Sequence, residues 1–279
     1  LMEISHVFRG EEWISSTPKH LFLYEAFGWK RTEFAHMPLL LNPDKTKLSK
    51  RQGDVSVESY IQKGYLPEAL LNFLAIQGWN PSGSQEIYTR DELIAAYDVS
   101  KINKAGSVVN YEKLDWLNGH YIRLKSLDEL TNLCLQYLPE EIEFSRAQRI
   151  VLLFQERLAK LSDITQLSAF IFELPSYPAA LLVWKKSTTE KAVEVLRALS
   201  NYCATLDDSL FEDEKKLEEI ILLWIKEQGY NNGEVLWPMR VALSGLQNSP
   251  PPCAIASVLG KDETIKRLQF ASATLSTLA

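Results

Sequence analysis

Cysteine is scarce in this chain, and so are the patterns that would make cysteine informative. Its 279 residues include only Cys134, Cys203 and Cys253, far apart and without a C-x-x-C pair. That spacing signals neither a zinc site nor a disulfide framework and fits a reducing compartment; no metal ligand set is expected. A long apolar run is also missing. No stretch approaches the roughly 20 residues of a membrane span, and the apolar run Ile220–Ile225 is closely flanked by charge. Positive charge is not in excess: 30 Lys and Arg against 36 Asp and Glu leave a formal net charge of −6. This excludes a generally basic nucleic-acid coat, so any RNA surface must be local. Internal repeats and low-complexity tracts are absent.

What is present is globular. A 46% hydrophobic composition can bury a sizeable core, and the length suggests about two domains. An apolar opening segment reads as a buried strand, followed by a helix over 17–27 with Pro18 in its first turn and Gly28 as its stop. From about Leu66 the pattern is almost wholly helical. Pro67 starts a helix whose Leu70, Leu71, Phe73, Leu74 and Ile76 cover a broad face. Thr89, Ser126 and Ser187 each stand three residues before a glutamate, the reciprocal capping arrangement. Further helices are expected over 145–161, 191–203 and 213–228, the last ended by Gly229. Ser249-Pro-Pro-Pro252 predicts a stiff turn before a final helix over 262–270. Boundaries fall near residues 60 and 145.

The segment Asn42-Pro-Asp-Lys-Thr-Lys-Leu-Ser-Lys-Arg-Gln-Gly-Asp54 packs Lys45, Lys47, Lys50 and Arg51 into a turn-forming stretch after Met37-Pro-Leu-Leu-Leu41. Mobile lysine charges and a rigid arginine fork suit the charge that builds on phosphoryl oxygens. Taken alone, such a pentapeptide is more often a solvated basic loop. Lys47-Leu-Ser-Lys-Arg51, however, resembles the lysine-serine-lysine signature of class I aminoacyl-tRNA synthetases, in the form carried by bacterial and organellar glutamyl-tRNA synthetases. The resemblance extends through the segments 4–13, 16–20, 23–29, 36–44, 64–72, 114–123 and 239–245, in the family's order and approximate spacing.

The resemblance implies a mainly α chain. An α/β Rossmann-type catalytic remnant over 1–60 would precede a helical stem-contact domain over 61–145 and an all-helical anticodon-binding domain over 146–279. The family's histidine-rich first signature is missing, so the chain reads as a C-terminal portion, inactive by itself in amino-acid activation. The implied reaction is ATP-dependent formation of glutamyl-adenylate and transfer to tRNA(Glu), with Mg²⁺ held by the ATP phosphates. Whether tRNA(Gln) is also charged stays open. The implied state is a soluble monomer in bacterial cytoplasm, with mitochondrion and plastid left open. The alternative is a non-catalytic tRNA-binding protein derived from such an enzyme.

By the same resemblance, Lys47, Ser49, Lys50 and Arg51 are catalytic and, with Glu12, Leu40 and Leu48, bind ATP, Leu40 through its backbone. Arg9 grips the glutamate carboxylate, although charge pattern alone favours a salt bridge to a neighbouring carboxylate. Arg157, Arg240, Ser249 and Pro252 fall at anticodon contacts, Pro252 where leucine is usual; generically, Arg157 is a surface residue. His6 and His36 receive no chemical role, because a lone histidine in an apolar strand is more often structural. Trp224 and Trp237 read as bundle core rather than as base-stacking platforms.

Overall fold

The computed structural model describes residues 2–48, 56–79 and 84–277. The chain divides into two compact units: Leu1–Leu124 with Ala159–Leu161, and Lys125–Leu158 with Ser162–Ala279. It is mainly α-helical.

The first unit opens on a β-α-β element. Strand β1 (His6–Gly10) lies parallel to β2 (Glu33–Met37), with Arg9 opposite His36. Parallel neighbours need a crossover, and α1 (Thr17–Ala26) supplies it, with Pro18 at its start and its end at Phe27 and Gly28 as expected. The expectation of a buried first strand is not met. No residue of β1 is buried and Phe8 is 49% exposed, because among the described residues β1 has β2 as its single strand neighbour.

Strand β3 (Leu40–Leu41) pairs in parallel with β4 (Ser107–Val108) and bridges back to Lys47. Helices α2 (Val57–Gln62), α3 (Pro67–Gly78), α4 (Arg90–Ala96) and α5 (Tyr111–Leu124) follow. Leu70 and Phe73 of α3 join Tyr65, Val109, Leu114 and Leu117 in the core, onto which Leu40 and Leu48 pack. Leu71 and Leu74, expected on the buried face, are 47% and 43% exposed. The inward positions go instead to Asn72 and Gln77. The Asn72 side-chain oxygen accepts from the Tyr88 N–H at 2.6 Å and the Tyr121 hydroxyl at 2.9 Å, and that of Gln77 from the Ser107 hydroxyl at 2.6 Å. Buried polar groups persist where they are paired. Asn118, fully buried on α5, accepts from the Leu66 N–H at 2.8 Å and donates to the carbonyls of Gly64 at 3.3 Å and Ala159 at 2.5 Å.

The second unit consists of α6 (Leu127–Cys134), α7 (Phe144–Phe154), α8 (Asp163–Phe172), α9 (Thr189–Thr205), α10 (Glu214–Glu227), α11 (Asn232–Ser244), α12 (Pro252–Leu259) and α13 (Lys261–Ser276). The expected apolar stripe of α9 (Val195, Leu196, Leu199 and Cys203) is fully buried. The helix expected over 145–161 stops at Phe154 and passes into a 3-10 turn over Gln155–Arg157. Its Ile150, Phe154, Leu158 and Leu161 are nevertheless buried. Pro252 does not close a turn before one last helix; it opens the separate helix α12, a first-turn position where its missing N–H costs nothing.

Capping follows the sequence in part. Thr89 and Glu92 form both arms of the box, and the Ser126 hydroxyl accepts from the Glu129 N–H at 3.3 Å. At α9 the cap is Thr188, accepting from Lys191, and not Ser187. Inside the bundle the Arg267 side chain, 4% exposed, donates to the carbonyls of Leu243 at 2.6 Å and Phe170 at 2.7 Å and to Glu263 at 2.8 Å. It thereby fastens α13 to the ends of α8 and α11. Cys134, Cys203 and Cys253 are buried, and burial pushes each thiol up to about 12, which leaves them unreactive.

Candidate functional sites

In the first unit, the end of β1 and the segment after β3 come together. Glu12 lies in the 3-10 turn Glu11–Ser16 that follows β1, with its carboxylate folded back over Gly10, where any Cβ would collide with it. Lys47, 35 positions later, donates to Glu12 Oε1 at 3.0 Å. The Glu12 carboxyl is held below the usual range first by a backbone N–H, then by Lys47. The turn that presents Lys47 is built locally. The Asp44 carboxylate accepts from the Thr46 hydroxyl at 2.6 Å and its N–H at 2.9 Å, which keeps the acid ionised. Lys45 sits at φ 66°, a left-handed conformation that the sequence does not announce. Leu48 donates its N–H to the Leu40 carbonyl at 2.9 Å and fixes the return strand.

Arg9 is half-buried at the end of β1. Its partners are not the carboxylates that charge pattern favours. Nε donates to His36 Nε2 at 3.1 Å, Nη1 lies 3.0 Å from His20 Nδ1, and Nη2 donates to Thr17 Oγ1 at 2.6 Å. The guanidinium carbon lies 4.9 Å from the Phe34 ring centroid and 5.8 Å from that of Trp13. His36, given no role from sequence, and His20, not singled out at all, therefore belong to this site. The signal was three-dimensional: parallel register sets His36 opposite Arg9, and one helical turn separates Thr17 from His20. His6 lies apart and bonds its neighbour Ser5. Ser49, Lys50 and Arg51 lie outside the described residues.

In the second unit, the four residues expected at the anticodon gather around the segment between α11 and α12. Arg157, exposed, reaches the Ser249 carbonyl at 3.4 Å. Ser249 Oγ lies 3.0 Å from Ser244 Oγ, which donates in turn to the Arg240 carbonyl at 2.8 Å. Gly245, at φ 71°, turns the chain out of α11 against Pro175 and Tyr177, with no room for a side chain. Ser249 and Pro252 are buried, so their side chains shape this surface from beneath, and exposed Arg157 supplies a charge to it, while Arg240 is half-buried on α11. Trp224 is core, stacked on Tyr202 at 5.2 Å. Trp237 is half-buried and donates to the Leu181 carbonyl at 2.8 Å.

Two family descriptions match the chain in this order. Residues 1–116 match "tRNA synthetases class I (E and Q), catalytic domain", and residues 129–272 match "Anticodon binding domain". The chain belongs to the glutamyl-tRNA synthetase family. It is 40% identical over 273 residues to the glutamate–tRNA ligase of Clostridium acetobutylicum, covering 97% of this chain and 56% of that protein. With the ligase of Chloroherpeton thalassium it shares 37% over 287 residues, again 97% and 56%. A crystal structure of a glutamate tRNA ligase from Elizabethkingia meningosepticum in complex with its amino acid superposes with a TM-score of 0.83. Its sequence identity is 34%, and the match covers 98% of this chain and 58% of that one. The chain thus spans about half the length of the glutamyl-tRNA synthetases it matches. None of its described helices is long and apolar enough to cross a membrane.

Proposed function

We propose that this chain acts within a glutamyl-tRNA synthetase that activates L-glutamate with ATP and transfers the acyl group to tRNA(Glu). The Lys47–Glu12 contact in the turn that follows Arg9 carries this reading, because it brings a phosphate-seeking lysine to the same strand end that carries a carboxylate-seeking arginine. Glutamate then attacks the α-phosphorus, pyrophosphate leaves, and a ribose hydroxyl of the tRNA takes the acyl group, a sequence driven by positioning and charge neutralisation. Lys47, Ser49, Lys50 and Arg51 would stabilise the phosphoryl charge. Mg²⁺ would enter on the ATP phosphates and help neutralise them. Leu40, whose carbonyl accepts from the Leu48 N–H, would receive adenine through its backbone. Residues up to about 60 belong to catalysis, 61–145 to the tRNA stem and 146–279 to the anticodon, in a bacterial cytoplasm.

Two measurements test this on the purified chain. ATP–pyrophosphate exchange is expected at background, whereas a tRNA(Glu) transcript should bind with an affinity that falls steeply with salt. Exchange above background would overturn the expectation that this chain is inactive by itself, and no salt-dependent binding would refute the assignment to a tRNA-binding part of the enzyme. Transcripts that differ only at the last anticodon base should be told apart, and Arg157→Gln should cut that preference about tenfold, the lower range for one base contact. An unaltered ratio would make Arg157 an ordinary surface residue.

A further inference from the structure

We infer that His20 and His36, both as neutral imidazoles, are positioning residues that orient the Arg9 guanidinium without spending its charge. The inference rests on the reading of Arg9 as a carboxylate anchor. An arginine has five N–H donors and no acceptor, so each ring nitrogen facing it must carry a lone pair. His36 therefore holds its proton on Nδ1, and His20 holds its proton on Nε2. Thr17 has one hydroxyl proton, which goes to the Trp13 carbonyl at 3.1 Å. Its oxygen is thus free to accept from Arg9 at 2.6 Å, and His36 Nε2 is left to the Arg9 Nε–H.

Three of the five N–H groups are then committed, one from each nitrogen. One remains on each terminal nitrogen, and these two donors stay open to an incoming carboxylate. The three acceptors come from two elements, β2 and α1, and Phe34 covers one face of the guanidinium plane, so its orientation is set from several directions. The neutrality of these acceptors is the functional point. An aspartate or glutamate in their place would orient the fork equally well but would neutralise it and compete with the incoming carboxylate. Glu12, three residues along the chain, is instead engaged by Lys47.

The test uses this chain, labelled with ¹⁵N. Long-range proton–nitrogen correlation in mildly alkaline buffer should show His36 as the Nδ1–H tautomer and His20 as the Nε2–H tautomer, and this needs no variant. The Arg9 Nε–H should exchange slowly, become about tenfold faster in His36→Phe, and return to the wild-type rate in His36→Gln, whose amide oxygen replaces the acceptor. Backbone amide spectra show whether each variant stays folded. A proton on His36 Nε2 or His20 Nδ1, or equal Arg9 exchange in the Phe and Gln variants, would overturn the inference. L-Glutamate titration then addresses the underlying reading separately. If glutamate shifts no Arg9 signal while the tautomers stand as stated, the anchor reading fails for this chain and the positioning role survives.

Discussion

The segment from Met2 to Trp29 and the helix α9 are both rich in large apolar side chains, yet they dispose of them in opposite ways. The first leaves Phe8, Trp13, Ile14, Phe22, Leu23, Phe27 and Trp29 between 48% and 69% exposed, whereas Val195, Leu196, Leu199 and Cys203 of α9 are completely covered. Apolar content does not make a core; reciprocal cover does. Amphipathic helices in a bundle each supply the surface the next one needs. One helix over two short strands offers too few facing positions, so β1, α1 and β2 contain no buried residue.

The contrast is broken most directly by truncating one side chain on each side of it. Leu196→Ala should destabilise the second unit by about 3 kcal/mol, as expected for a leucine in a core that cannot collapse, and Phe22→Ala should stay within about 0.5 kcal/mol. Urea unfolding of both variants measures the pair, and equal losses would abolish the distinction. Asn118→Ala probes the part of the first unit that does have a core. It strips partners from the Leu66 N–H and the Gly64 and Ala159 carbonyls, an expected loss of about 2 kcal/mol readable in the same experiment. Smallest is the cap of α9. Thr188→Ala should cost about 1 kcal/mol and Ser187→Ala close to nothing, because the Ser187 hydroxyl is buried without a hydrogen-bond partner. The reverse order in thermal unfolding would restore the cap to Ser187.

Periodicity and capping chemistry made the helices legible, since a stripe such as Val195, Leu196, Leu199 and Cys203 has a single consistent burial solution. They could not place the end of α7. Leu158 and Leu161 continue the apolar pattern although the backbone leaves the helix at Phe154, because burial depends on where a side chain points and not on which backbone carries it. Asn72 and Gln77 escaped notice for a related reason: their partners lie 16 to 49 residues away. At the candidate catalytic site, motif resemblance named Arg9, Glu12 and Lys47, and the structure joins the last two. His20 and His36 were invisible because a histidine that orients another residue has no spacing rule of its own. The pairing of β1 with β2 brings His36 to Arg9, and the first turn of α1 brings His20.

Residues Ala159–Leu161 belong to the first unit although they interrupt the sequence of the second. The Leu161 N–H reaches the Gly64 carbonyl at 3.0 Å, and Ala159 satisfies Asn118. The polypeptide consequently passes between the two units three times, so neither is a cassette that a single cut can release. A chain begun near residue 60 keeps Asn118 together with its partners. One begun at Lys125 would carry three residues shaped for a neighbour it no longer has, and recombination at that point would exchange a helical bundle with another unit's stitching still inside it.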